Sequence, residues 1–248
     1  MRNAFPLVAS LAVVVAAAST PCAYATVYFQ NTGTLSGWTG VSVGETGSVT
    51  QVSSPTYKGS TALRCYQIYN GADKTLHSEV SYGNAEVGRN GDNRYYGFAF
   101  RTHSGWTYAT PGASISQLIT NSPCGAQQTD MYQIYGTRLE VKRNWGDPCH
   151  QGYERLTIVD PVSVGVWHRV VIRKLWKTDN TGAWQVWYDG SRKHSKSNIP
   201  TGFTGNPPYR WTIGLYAGFS STSPKTRTIY VDHARVASSY SEADPGQW

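Results

Sequence analysis

The amino-acid sequence predicts an all-β fold, a sandwich or β-jelly roll of two antiparallel sheets, and three observations carry that prediction. No helix-period pattern is sustained anywhere along the 248 residues. About a dozen strand-like runs recur instead, separated at short spacing by clusters of Gly, Asn, Asp and Pro. The composition agrees, because 25 glycines, 17 tyrosines and nine tryptophans against two methionines favour strands and turns.

Taken in order, the chain opens with a leader. Arg2 precedes the apolar run "LVASLAVVVAAA", which gives way to Ser19-Thr20-Pro21 and the small-residue site Ala23-Tyr24-Ala25. Charged, apolar and A-x-A segments in that order predict a secretory signal peptide over residues 1–25. The apolar run is too short to span a bilayer, and no later run is long and apolar enough. A mature chain starting at Thr26 has 248 − 25 = 223 residues, expected to form a single domain over 26–248 in the extracellular space. Loss of Arg2 takes the formal charge from +7 to 7 − 1 = +6. That sign suits an anionic partner: a polyuronate, a sulphated glycan or a nucleic acid.

The strands of the domain follow. "TVYFQ", "GSVTQVS" and "STALRCYQIY" come first, the last carrying Cys65 as an expected buried thiol. In "LHSEVSYG", alternation turns Leu76, Ser78 and Val80 one way and His77, Glu79 and Ser81 the other. After "RYYGFAFRT", the run "ASISQLIT" places Ile115, Gln117 and Ile119 on one face, where a lone glutamine needs a hydrogen-bond partner. "MYQIY" and "RLEVKRN" read as a hairpin turning near Gly136-Thr137. Cys124 and Cys149 lie almost equally far from that turn on opposite arms, so they are expected side by side as a disulfide, in keeping with an oxidising compartment. "RLTIVD" and "VWHRVVIRKLW" precede "AWQVWYDG", which ends in the hairpin turn Asp189-Gly190. In "YRWTIGLYAGF" one face carries Arg210, Thr212, Gly214, Tyr216 and Gly218, and the other carries the core-like Trp211, Ile213, Leu215 and Ala217. Glycines on the first face lower the floor beside Tyr216, as a groove for a bulky chain requires. "TRTIYVDHARVA" closes the domain.

Two stacked sheets leave one concave face open, and its residues limit the chemistry. Glycoside hydrolysis needs two carboxyl groups flanking the bond, yet no strand carries acids spaced by two. Glu79 stands alone, with Glu140 and Glu154 expected at a hairpin and a loop exit. There is no strand-to-helix nucleophile elbow, no H-E-x-x-H, no phosphate loop and no metal-ligand cysteine spacing. β-Elimination from a uronic acid polymer makes other demands. The carboxylate is neutralised by donors or cations, a base takes the adjacent C5 proton, and an acid protonates the departing O4. His77, Gln117 and Tyr216 are of the right types, each on an expected inward face.

Three of these strands resemble a family signature. Jelly-roll alginate lyases carry an R-S-E-L-R type strand, a Q-I-H type strand and a Y-x-K-x-G-x-Y-x-Q type strand. "LHSEV" resembles the first, with His77 in place of arginine and Glu79 kept. "SQLI" resembles the second, with Gln117 kept and Ile119 at the histidine. "RWTIGLYAG" resembles the third, with Gly214 and Tyr216 kept, Thr212 for lysine and Gly218 for glutamine. The chain is more similar still to the fungal glucuronan lyases of polysaccharide lyase family 20, along nearly all of the mature length, including "GVWHRVVIRKLW" and "QVWYDG".

The resemblance implies a cleft along the concave sheet and endolytic β-elimination of β-1,4-linked polyglucuronate. It makes Gln117 the carboxylate neutraliser and Tyr216 the general acid, with the base either Tyr216 or His77. Glu79 is expected to orient His77 or a basic side chain, since residues i and i+2 lie roughly 6.5–7 Å apart on one face. Arg210, Lys142 and Arg94 are the expected subsite cations. No cofactor is expected for catalysis, but a structural calcium between the first and last strands is, with Asn31, Glu45 and Asp232 supplying hard oxygens. The implied partner is an anionic polysaccharide acted on by a monomer, with neither nucleic acid nor membrane. Two alternatives stand beside this reading: a non-catalytic carbohydrate-binding module or lectin on the same sandwich, and a lyase acting on alginate.

Overall fold

The structure, a computed structural model, describes residues 25–44, 46–69, 75–218 and 225–248, together with Met1. Nearly all of the expected leader falls outside this set. Among the described residues fifteen strands follow in chain order: β1 Val27–Asn31, β2 Gly40–Val43, β3 Ser48–Val52, β4 Ala62–Ile68, β5 Thr75–Tyr82, β6 Asn93–Thr102, β7 Ala113–Ser122, β8 Gly125–Tyr135, β9 Arg138–Asp147, β10 His150–Val159, β11 Trp167–Leu175, β12 Gly182–Tyr188, β13 Ser191–Ile199, β14 Arg210–Gly218 and β15 Thr226–Ala237. Among the described residues helical structure is confined to a 3₁₀ turn at Ala85–Val87 and the four-residue α1, Tyr240–Ala243. No helix among the described residues is long and apolar enough to cross a membrane.

The strands form two antiparallel sheets, the jelly-roll arrangement expected from the sequence. One runs β13-β12-β11-β6-β15-β4-β3, with β1 also on β15. The other runs β10-β9-β8-β7-β14-β5-β2. We call them the back sheet and the cleft sheet. Alternation decides what lies between them: Trp211, Ile213, Leu215 and Ala217 of β14 are buried, as are Phe98 and Phe100 of β6 and Trp184 and Val186 of β12. All of these belong to one continuous apolar cluster. Each large side chain taken fully out of water contributes on the order of 1.5–3 kcal/mol, so this layer fixes which face of every strand looks inward.

Turn chemistry follows the sequence closely. Asp189 and Gly190 both have positive φ, 50° and 81°, as a two-residue hairpin with right-twisted arms requires. Cys124 and Cys149 are joined across the start of β8 and the end of β9, with their Cα atoms 5.6 Å apart, and Cys65 is a buried free thiol. Two edge strands have no apolar alternation to announce them. β2 is largely exposed, and β13, "SRKHSKSNI", is almost wholly polar. Both pair along only one side, so neither needs two buried faces. One register differs from simple alternation as well. A bulge between Ser114 and Ser116 removes Ile115 from the row of Gln117 and Ile119 and commits it to the core.

Candidate active site

Register in the cleft sheet brings the functional side chains together. Across β5 and β14, His77 lies opposite Tyr216 and Glu79 opposite Gly214. Across β14 and β7, Thr212 lies opposite Gln117. Residues directly opposite each other point to the same face, so His77, Glu79, Gln117, Thr212 and Tyr216 all project outward, away from the core. Gly214 has a structural reason to be glycine. Its φ is 138°, and a Cβ there would meet the Ser78 carbonyl oxygen at 2.3 Å. The missing side chain lets β14 close onto β5 directly beside Glu79.

A cleft of about 220 Å³ opens over this patch, with His77, Glu79, Gln117, Thr212, Tyr216 and Arg210 in its wall. Ser42, Ser81, Ile119 and Gln128 line it too. Glu79 is the hub. Its Oε2 meets His77 Nδ1 at 2.9 Å, and its Oε1 accepts from Gln117 Nε2 at 2.8 Å and from Thr212 Oγ1 at 3.3 Å. The expected spacing of about two residue rises is bridged because the two side chains lean together into a direct hydrogen bond. Glu79 is 4% exposed, whereas the His77 side chain is 40% exposed.

This geometry fixes proton positions. An ionised carboxylate only accepts, so the proton on the shared edge belongs to Nδ1, and Nε2 of a neutral His77 keeps its lone pair. The Tyr216 ring packs on the imidazole with centroids 4.7 Å apart. Burial, reinforced by the Glu79 charge, raises the Tyr216 hydroxyl above its ordinary pKa, so it keeps its proton well past neutrality. Gln117 is almost fully buried. Its amide nitrogen carries two N–H groups and Glu79 takes one of them.

The expected cations divide. Arg210 stands at the rim of the cleft, donating to Asn121 Oδ1 at 3.1 Å. Lys142 shares the cleft face farther out, since Gln117 faces Met131, Met131 faces Lys142 and Lys142 faces Arg155 along one row. Burial, and then the neighbouring Arg155, lower its pKa. Arg94 is a correction: it sits on β6 of the back sheet, donating to the Glu86 carbonyl, pairing with Asp92 and covering the Tyr28 ring. Its charge is spent there because β6 alternates against the other sheet. Arg138 and Arg155, unmarked by any motif, prove to be cleft-face cations. Both bind Glu140, which also accepts from Gln133. Burial pushes Glu140 up, but these three donors outweigh it and hold the carboxyl below its ordinary pKa. Arg155 opposite Lys142 in the β9–β10 register is the signal that would have found it.

The expected calcium donors have other partners. Asn31 Oδ1 accepts from the backbone N–H of Gly33 and Thr34, and Asp232 accepts from Tyr57 N, Lys58 N and His233. Glu45 lies outside the described residues. As placed, the Asn31 and Asp232 oxygens tie down their own loops and do not form an open cage. No group of three or more His, Cys, Asp or Glu among the described residues is arranged to hold a metal.

Comparison with known proteins gives the family. A family model described as polysaccharide lyase matches residues 30–235. The chain belongs to the polysaccharide lyase family. As a member it is a lyase that acts on polysaccharide, and the carbohydrate-binding-module alternative gives way to it. The fold is similar to that of the endo-β-1,4-glucuronan lyase of the fungus Trichoderma reesei, with a TM-score of 0.85 and 29% identity over 90% of this chain and 100% of that one. A family 7 alginate lyase, A1-II′, shares the fold at a TM-score of 0.52 and 11% identity, covering 73% of this chain and 79% of that one. A bacteriophage phi24B carbohydrate esterase shares it at a TM-score of 0.53 and 12% identity, covering 86% and 99%. No curated protein sequence matches the chain.

Proposed function

We propose that this polysaccharide lyase is a secreted, endolytic glucuronan lyase that cleaves β-1,4-linked polyglucuronate by β-elimination and leaves unsaturated uronate ends. The observation that carries the reading is the Glu79–His77 hydrogen bond, which presents Nε2 as a base beside a protonated Tyr216. The likeness to the Trichoderma reesei enzyme supports the choice of substrate. The residue 1–25 leader supports secretion, and the supply of every required group by one chain supports a monomer.

In the proposed reaction the free Gln117 N–H and Arg210 neutralise the substrate carboxylate, making the C5 proton acidic. His77 Nε2 takes that proton. The C5–H electron pair becomes the C4=C5 double bond, the C4–O4 bond breaks with its pair on oxygen, and Tyr216 protonates O4. Proton exchange with solvent resets the imidazolium and phenolate. Glu79 stabilises the imidazolium and holds its ring.

The mature protein should be mixed separately with polyglucuronate, alginate, polygalacturonate and heparin while the ultraviolet absorbance of unsaturated ends is followed. A rise with polyglucuronate alone is the expected result. A rise with alginate instead would keep the mechanism and replace the substrate. No rise with any polymer, despite retention on a polyuronate column, would overturn the elimination chemistry.

A further inference from the structure

The catalytic cleft does not end at Arg210. A second cavity of about 300 Å³ begins on the other side of that arginine, walled by Asn84, Asn121, Pro208 and Tyr209. A third, of about 270 Å³, shares Pro208 with the second and is lined by Arg89, Asn206 and Pro207. Three depressions thus run in series from His77 and Tyr216 to Arg89, each joined to the next by a common wall residue. No acidic side chain lines the second or third.

The far end of this path is held in place. Asn90 N–H donates to Asn206 Oδ1 at 2.8 Å, tying the two rims. Thr120 Oγ1 donates to the Pro208 carbonyl at 2.7 Å and fixes the floor to β7. The Arg89 N–H donates to Asp92 Oδ2 at 2.9 Å, while the Arg89 residue itself is exposed. Two prolines in the floor further limit the freedom lost on binding.

We propose that this series of cavities is one extended binding groove for a polyuronate chain, with Arg89 as a distal carboxylate-binding residue that sets how long a chain the enzyme grips. This deepens the glucuronan lyase reading and rests on it. Every sugar of a polyuronate carries a carboxylate, so Arg210 and Arg89, joined by two cavities without acids, engage separate sugars of one chain. The guanidinium fork suits that group better than an ammonium. Asn84, Asn121 and Asn206 offer neutral donors and acceptors for the hydroxyls between them.

The test compares Arg89→Glu with Arg192→Glu, the same charge change on the exposed edge strand β13, in the full chain. On long polyuronate Arg89→Glu should raise KM about fivefold to tenfold, and the rise should shrink as salt is added. On oligomers too short to pass Arg210, and for Arg192→Glu on any substrate, KM should stay at the wild-type value. Equal KM changes in the two variants would overturn the groove. If the wild type cleaves no polyuronate, the same pair is compared for retention on a polyuronate column. Earlier elution of Arg89→Glu alone keeps the groove while the cleavage reading falls, and co-elution of the two overturns it.

Discussion

Two carboxylates buried in the cleft sheet, Glu79 and Asp130, are handled in opposite ways. Asp130 on β8 faces the back sheet, where Lys174 of β11 bonds its Oδ2 and Arg143 Nε stands 3.7 Å from Oδ1. Arg143 continues to Glu154 of the edge strand β10, which also takes Lys196 of β13. Burial brings Lys174 down to about 8 even though the Asp130 charge pulls the other way. Glu79 has no lysine or arginine among its hydrogen-bond partners, only Gln117, Thr212 and a half-exposed histidine. A charge compensated in full by buried cations holds two sheets together. A charge left to neutral donors acts on its neighbours, orienting His77 and adding to the rise that burial gives the Tyr216 hydroxyl.

The largest effect that would test this contrast is on the cleft side. Tyr216→Phe should lower kcat by about 10²–10⁴-fold, the usual contribution of a positioned acid, and leave polymer binding nearly intact. Equal loss of binding and turnover in single-turnover and retention measurements would make Tyr216 a sugar contact instead. On the interior side, Asp130→Ala strands Lys174 and Arg143 between the sheets, and urea unfolding should register a loss of about 3–5 kcal/mol. A variant as stable as wild type would mean that the cluster contributes no net binding between the sheets. The smallest change sharpens the comparison most. Glu79→Gln removes the charge that helps keep Tyr216 protonated. A general acid works only below its pKa, so wild-type kcat should fall as pH rises through the elevated Tyr216 value. That alkaline limb should move to lower pH in Glu79→Gln, with kcat reduced about tenfold at neutrality. An unmoved limb would assign it to another group.

Much of this was legible in the residues. Alternation in "LHSEV" and "RWTIGLYAG" placed His77, Glu79, Gly214 and Tyr216 correctly, because the period of a strand is fixed by its backbone. The disulfide followed from counting outward from Gly136-Thr137. Arg94 was misplaced because alternation gives the face of a strand and not the sheet it joins. Ile115 left its row because a bulge inserts a residue that the two-residue period does not encode. β2 and β13 escaped notice because an edge strand with one solvated face carries no obligatory apolar pattern.

By itself the sequence determined most local conformations: strands from alternation, turns from Asp189-Gly190 and its like, and the outward sets of β5 and β14. It also determined the inventory of proton-transfer groups. Only the tertiary structure decided partnership. The β5–β14 and β14–β7 registers set Gln117 on Glu79 across 38 residues of chain, the row from Gln117 through Met131 and Lys142 to Arg155 crossed four strands, and the sheet order sent Arg94 to the far side. The reason is physical. A residue's conformation answers to its immediate neighbours, whereas a hydrogen bond between strands exists only once the buried faces of both sheets have fixed every register at once.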